Sequence, residues 1–432
     1  MNDPVTQYIA SHPAYREGIP TDSALHQARM TALAQFRAAG FPTTRMEQWK
    51  YTSTRLLRET PFQHVTTHDE TFQLAESLLL ANTAHTPWVF VNGRRNPLDS
   101  KPGGLPPGVK EVPLPSLGSP SDSHPFLNSS SRPFDNLNLA FCEDGLVLEV
   151  QPNTIIEEPL QFIFVGDARE HPAVSHPRVT VSVGHNSQIT ILQTHLGLGE
   201  APCWLNSVVQ FQVGANAQVN HHILHRGGDQ LHYVGDVQAH LQRDARYNST
   251  TWWLGGMWTR NDLDVHCEEP GASTTLHGLY LTDHSEHLDN HTLINHQVPR
   301  CQSQELYKGA LGGKSKAVFN GRVVVQKDAQ HTDSSQSNRN LLLSKQATIH
   351  TKPELEIYAD DVSCAHGTTV GQMEEDELFY LRSRGIGLRD ARIMLTRAFC
   401  AEILDAIPHP DIRQHVEALV DERLTQMTEG SS

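Results

Sequence analysis

The residue types best suited to chemistry gather near the C-terminal end of the chain. Cys364-Ala365-His366-Gly367 sets a thiol and an imidazole two residues apart, and on an extended strand residues two apart project from the same face. One thiol and one imidazole make half of a soft-metal site. Tetrahedral iron or zinc takes about four ligands, so another chain or a cofactor has to supply the rest. Just upstream, Asp360-Asp361 offers the paired carboxylates with which polysaccharide-cleaving enzymes carry out acid–base chemistry. Strand geometry opposes that use, because adjacent strand residues point to opposite faces and could flank one glycosidic bond only across a turn. One Asp capping a turn and the other solvated is the plainer reading, and a β-helical polysaccharide-active enzyme is carried as the alternative function.

Other constellations promise less. Gly309-Ala310-Leu311-Gly312-Gly313-Lys314-Ser315 looks like a phosphate-binding loop. It is one residue short of the spacing that wraps N–H groups around phosphates, and it lies between strand-like segments where a helix would have to open. His221-His222-His225 and His284/His287/His291 stand out among 26 histidines, but no carboxylate or Cys sits nearby at the helical spacing of an H-x-x-x-H or H-E-x-x-H site, so hydrogen-bonded or solvated strand and loop histidines are expected. The six cysteines, Cys142, Cys203, Cys267, Cys301, Cys364 and Cys400, are widely separated. With no C-x-x-C pair they read as free thiols of a reducing compartment.

The elements that position these residues can be read from composition and period. A length of 432 residues implies two to three domains or one elongated repeat domain with appendages. The net charge of −15 argues against a nucleic-acid partner, whose affinity comes largely from Lys and Arg. The first thirty residues lack the order of a secretory signal, and no window approaches the roughly 18 apolar residues of a membrane span. A cytoplasmic protein is expected.

Thr21, Asp22 and Ser23 are capping candidates for a helix through Leu25, Ala28, Ala32, Leu33 and Phe36 that stops at Gly40 and Pro42. From Lys101 to about Pro133, Pro, Gly and Ser dominate, predicting a linker or long surface loop. The period then changes to two, starting at Leu146, Leu148 and Val150. The segment Val181–Ile189 recurs as Phe211–Val219, with Gly184 and Gly214, Asn186 and Asn216, and Gln188 and Gln218 in step. A repeat of about thirty residues made of short strands and Gly/Asn turns predicts a mainly β protein with a β-solenoid core, on the order of ten coils over the β region. Helical spacing returns in Ala391, Met394, Leu395, Ala398, Phe399 and Ile403, and again from Ile412 to Leu424. Helical caps over both ends of the solenoid are expected, since open ends recruit strands; one end or edge could instead be covered by a partner.

The stretch from His287 to Gly385 then carries a resemblance. Phe319-Asn320-Gly321, Asn340-Leu341-Leu342-Leu343-Ser344, Thr351-Lys352-Pro353-Glu354-Leu355-Glu356-Ile357, Ala359-Asp360-Asp361-Val362, Cys364-Ala365-His366-Gly367 and Leu378-Phe379-Tyr380-Leu381-Arg382-Ser383-Arg384-Gly385 follow in order. Together they closely resemble the SufB/SufD family of iron–sulfur cluster assembly scaffolds, on its SufD side, and Glu47-Gln48-Trp49-Lys50-Tyr51-Thr52 looks like the family's leader region. Thr368 departs from the Ala expected after His-Gly. The resemblance implies a right-handed parallel β-helix (134–373) between an N-terminal helical region ending in the linker (1–133) and a C-terminal helical domain (374–432). It also implies a non-catalytic subunit working with a SufB-like paralogue and a SufC-like ATPase, the latter docked on the helices from about Glu374 to Leu424. Cys364 and His366 would lie at the interface with SufB, His366 as iron or cluster ligand and Cys364 as a neighbouring thiol. No cofactor would be held tightly in isolation, with iron or a cluster bound transiently in the complex. An open β-helix edge pairs readily with a like strand, so a homodimer is expected when the chain is alone.

Overall fold

The computed structural model describes residues 4–10, 23–65, 87–96, 104–114, 117, 124–128, 130–169 and 171–429. Thr21, Asp22 and parts of the Pro/Gly/Ser-rich stretch, including Pro102, Gly103 and Ser129, lie outside them.

From Arg178–Val183 onward, successive strands alternate between two sheets, and within each sheet every strand pairs in parallel with the strand two elements later. The result is a β-solenoid of about eight turns, fewer than the ten that repeat length suggested. Side chains bond across one coil 28 residues apart at Asn220 and Asn248 and 31 apart at Ser303 and Ser334. The repeat seen in the sequence is the coil itself. Gln188 sits opposite Gln218 and Val183 opposite Val213.

Asn186 and Asn216 turn the same corner in successive coils with φ of 58° and 57°, a left-handed conformation that Asn tolerates better than most residues. Their amides form a ladder, Asn216 donating to Asn186 at 3.0 Å and Asn186 to Asn153 at 2.9 Å. At Gly214 a Cβ would lie 2.7 Å from the Val183 carbonyl oxygen, so the coils can approach there only without a side chain.

Inside, apolar side chains stack coil upon coil, among them Val181, Phe211, Ala239 and Val265. The glycine that opens the false phosphate loop belongs to this packing: a Cβ on Gly309 would meet the Tyr280 ring at 1.9 Å. The loop residues run from one strand, Gln302–Leu311, through a turn into the next, Lys316–Val325, with no helix.

Helices flank the solenoid. Near the N-terminus α1 (Pro4–Ala10), α2 (Ala24–Ala39), α3 (Arg55–Glu59) and α4 (Pro133–Phe141) bury Phe36, Phe41, Leu137 and Phe141 against Trp204, Val234 and Trp258 on the outer face of one sheet. Ser23 caps α2 by accepting from the His26 N–H, and Gly40 ends it at φ 69°. The 47–52 segment clamps this unit down: Arg260 stacks over Trp49 at 4.5 Å and donates to the Gln48 carbonyl, Thr52 donates to Asp289 at 2.5 Å, and Tyr51 stacks on His350 at 4.1 Å. Beneath it the fully buried Arg178 pairs with Asp135 at 2.7 Å and holds the carbonyls of Phe126 and Asn128 at 2.9 Å.

The Pro/Gly/Ser-rich stretch is therefore more than a linker. Phe126 is fully buried, and Val109–Glu111 adds an antiparallel strand beside Gly145–Val150. Trp88–Val91 likewise extends the other sheet, so strands close the first coil where helices were expected.

At the other terminus α5 (Glu375–Ser383), α6 (Leu388–Asp405) and α7 (Pro410–Glu429) follow the last strand. Ile403, Leu404, Ile412, Val416 and Val420 pack on Leu224, Trp252 and Leu279, the outer face of the second sheet. Arg423 pairs with Glu286 at 2.6 Å, and Lys308 with Glu402 at 2.6 Å. These helices cover a flank of the solenoid, not its end, which corrects the expectation of helical caps at both ends.

Candidate functional site at the open end of the solenoid

Cys364 and His366 lie on Ser363–Gln372, the last strand of its sheet, whose one neighbour among the described residues is Asp333–Leu342. The other sheet ends at Thr348–Ile357. Cys364 stands beside Ser334 and His366 beside Gln336, and both neighbours are buried inside the solenoid. Since Ser334, Gln336, Asn338 and Asn340 share one face of their strand, Cys364, His366 and Thr368 continue that face one coil further. Thr368 confirms the orientation by donating to Thr351 of the opposite sheet at 3.3 Å. The departure from the family pattern is thus a hydroxyl that finds a partner.

Cys364 is half-buried against the core, and burial pushes its thiol up; His366 is exposed. No third ligand joins them among the described residues, since the one group of three ligating side chains lies elsewhere. The pair remains half a site in the isolated chain.

Behind it the solenoid interior changes character. Glu305, two coils in, is fully buried, accepts from Gln336 at 2.6 Å, and has its carboxyl pushed up to about 7 by burial. Asn338 and Asn340 donate to the Tyr280 hydroxyl and the Asn338 side-chain oxygen at 3.1 and 2.7 Å. A polar column therefore runs from the interior to the open end at His366.

The remaining candidates fall into ordinary roles. Asp361 holds a turn: it pairs with His331 at 2.9 Å and its N–H donates to Gln330 at 2.9 Å, while Asp360 is exposed beside it. Nothing brings the two carboxylates to a shared groove, and the polysaccharide reading is not favoured. His221 bonds the Tyr247 hydroxyl at 2.8 Å and Gln193 at 2.9 Å. His225 stacks on Trp253 at 5.6 Å and on His195 at 4.5 Å. Burial lowers both His221 and His225 to about 3, so they are neutral core residues at any physiological pH. Of the other group, His291 is held by Asp289 and Arg260, and His287 by Thr52.

Two features escaped the sequence reading. Cys267, His296 and Cys301 are buried with ligating atoms within 4.8 Å of one another. Cys267 hydrogen-bonds Cys301, pulling the Cys301 thiol down while its own rises, and His296 lowers Cys301 further. Their signal was the coil repeat, which places Cys267 and His296 opposite each other. The second is a cleft of about 510 Å³ between the last coils and α5–α7, lined by Leu343, Met373, Leu378, Leu388, Ile393 and Met427. Beside it Phe379 and Tyr380 of α5 are largely exposed, at 74% and 57%.

Residues 164–399 match the family model described as SUF system FeS cluster assembly, SufBD core domain. Over 407 residues the chain is 31% identical to an iron–sulfur cluster assembly SufBD family protein of Synechocystis sp., covering 90% of this chain and 88% of that one. It is 30% identical over 398 residues to the iron–sulfur cluster assembly protein SufD of Escherichia coli, covering 91% of each. It is 29% identical to the chloroplastic protein ABCI7 of Arabidopsis thaliana over 92% of this chain and 86% of that one.

Proposed function

The chain belongs to the SufBD family of iron–sulfur cluster assembly proteins, and from that premise we propose that it is a SufD-like, non-catalytic scaffold subunit whose open solenoid end meets a SufB-like paralogue. The observation that carries this is the uncovered last coil, where a thiol and an imidazole end a polar interior column. Half a ligand set on a free strand edge suits a site completed by a second chain. Cys364 and His366 share the nascent cluster with ligands from SufB, His366 binding iron and Cys364 acting beside it. Iron and cluster are cargo, held in the complex and released.

A SufC-like ATPase docks on α5–α7, where Phe379, Tyr380 and Met394 give an apolar surface next to the cleft. ATP hydrolysis in that partner moves the interface. The complex works in the cytoplasm, and without partners the chain pairs with itself along the same edge. No helix among the described residues is long and apolar enough to cross a membrane.

The test is co-expression with SufB-like and SufC-like proteins, purification through a tag on this chain, and anaerobic cluster reconstitution with wild type and His366→Ala. The expected result is an intact complex with a lowered cluster yield in the variant. Co-purification with unchanged yield refutes the role of His366. Failure of either partner to co-purify refutes the scaffold reading.

A further inference from the structure

The stacked columns of the solenoid supply an internal standard against which one coil is anomalous. At the end of each strand in the first sheet the same inward position is filled in turn by Val183, Val213, Leu241, Cys267, His296, Val325 and Ile357. Apolar side chains occupy it on both sides of Cys267 and His296, and both of these are completely buried. The corner position just before the strands of the second sheet reads Ser187, Ala217, Ala245, Ala272, Cys301, Thr332 and Val362. Three small alanines thus give way to a thiol at the coil where the facing column changes to cysteine and histidine. A position that alanine or valine fills elsewhere in the same fold does not need these groups for packing.

The imidazole is the costly member. His296 Nε2 bonds the Ser303 hydroxyl at 2.9 Å, and that hydroxyl donates to Ser334 at 2.8 Å. Its other ring nitrogen, Nδ1, is buried with no oxygen or nitrogen partner. A buried ring nitrogen that meets no oxygen or nitrogen, and only the Cys301 thiol beside it, is unfavourable where an apolar residue would fit. A ring fixed through one nitrogen by a hydroxyl, with the second nitrogen open, is how ligating histidines are commonly held.

We propose that Cys267, His296 and Cys301 form a buried binding site for a thiophilic metal ion of the zinc class, separate from the open end of the solenoid. The ligating atoms already lie within 4.8 Å of one another, and thiolates around one zinc at about 2.3 Å stand about 3.8 Å apart, so small side-chain rotations close the set. The Glu269 and Pro299 carbonyl oxygens, 3.7 and 3.8 Å from the Cys301 sulfur, are at hand for the fourth position. On binding, the thiols lose their protons to solvent and the metal takes their place. Because the site is sealed, the ion enters as the chain folds and pins three elements at one corner: the ends of strands Trp258–Cys267 and His287–His296 and the start of Gln302–Leu311.

The experiment uses the full chain expressed with zinc, or with cobalt in its place, and purified anaerobically under reducing conditions. Metal content is measured by mass spectrometry, and the cobalt form is examined for thiolate-to-cobalt charge-transfer absorption. Three chains are compared: wild type, Cys301→Ala, which restores the residue of neighbouring coils, and Cys364→Ser/His366→Ala, which removes the surface pair. Wild type and the surface double variant should each carry about one zinc per chain and show the charge-transfer band, while Cys301→Ala folds but loses both. Wild-type protein without metal or band overturns the proposal. So does full metal in Cys301→Ala, a loss of metal in the surface double variant alone, or a Cys267–Cys301 disulfide found by mass in the anaerobic protein. None of these outcomes depends on partner binding or cluster yield, so this site and the scaffold reading fail or stand separately.

Discussion

The free edge of the last strand can be closed by one residue, and the backbone says which. Ser363 N–H donates to the Thr332 carbonyl. In a parallel ladder, N–H and C=O groups of alternate residues point the same way, so Ala365, Gly367, Thr369 and Gly371 face the neighbouring strand. Cys364, His366, Thr368, Val370 and Gln372 present theirs to the open side. On the other sheet Thr348 and Tyr358 donate inward, which puts Pro353 at an outward position where no internal donor is needed. That proline already blunts one edge; Ser363–Gln372 has none. Val370→Pro should therefore leave the fold within about 1 kcal/mol of wild type, because no internal hydrogen bond is lost. Across an interface it removes one donor and crowds the next bond, worth about 1 to 3 kcal/mol, or about a 5- to 150-fold weaker Kd for the SufB-like partner. In a symmetric homodimer the loss counts twice. Thr369→Pro, one residue earlier, breaks an internal bond instead and should lower the urea midpoint. Sedimentation velocity across a concentration series, with urea unfolding of both variants, decides the matter. Dimer and heterodimer affinities unchanged in Val370→Pro, or equal destabilisation by the two prolines, would refute the assignment of the edge.

Other outcomes follow from buried charge. Arg178→Met strands the buried Asp135 carboxylate and two carbonyls, so urea unfolding should show a loss of about 3 to 5 kcal/mol, with Asp135→Leu in the same chain recovering much of it. Glu305, pushed up to about 7 by burial, holds its proton in the fold where the unfolded chain has released it. Its contribution is therefore fully present below the unfolded value near 4.3 and is lost as pH rises to about 7. Glu305→Gln should remove that slope, so the stability difference between variant and wild type grows in the variant's favour from pH 4.5 to 7 and then levels off. His225, lowered to about 3 by burial, has the opposite sign: its contribution is present above about 6.5 and is lost as pH falls toward 3. His225→Phe should flatten the acid limb of the unfolding curve measured between those values.

What could be read in the sequence followed from which interactions are local and which are stacked. The α2 helix was legible from Ser23 to Gly40 because its caps and apolar spacing lie within one segment. The solenoid was legible because Gly184 and Asn186 recur as Gly214 and Asn216, each needed for the same corner. The strands Trp88–Val91 and Val109–Glu111 were not, since they are short, flanked by Gly and Pro, and ordered only by the first coil. Cys364 and His366 were found because two residues apart on a strand is a local spacing. Cys267 and His296 were missed for the converse reason: ligand motifs are sought within a few residues, whereas a solenoid makes neighbours of residues a full coil apart.

The same stacking explains why the open end suits shared chemistry. A solenoid coil is stabilised by the coils beside it, so the last one lacks half its neighbours and should be the least stable part of the ladder. An apolar interior would aggravate this by exposing greasy surface at the end. Here the inward face changes from Tyr307 and Phe319 to Gln336, Asn338 and Asn340 just before the terminal strand, so water can wet the end of the isolated chain and a partner can displace it. Asp360 and Asp361 keep the adjoining turn charged, and Arg322 pairs with Glu356 across the edge strand of the other sheet at 2.8 Å. Such an end tolerates exposure while keeping the backbone of Cys364 and His366 tied to a rigid neighbour through ten paired positions. The position of the half-site is fixed before the second half arrives, which lowers the ordering cost of completing it.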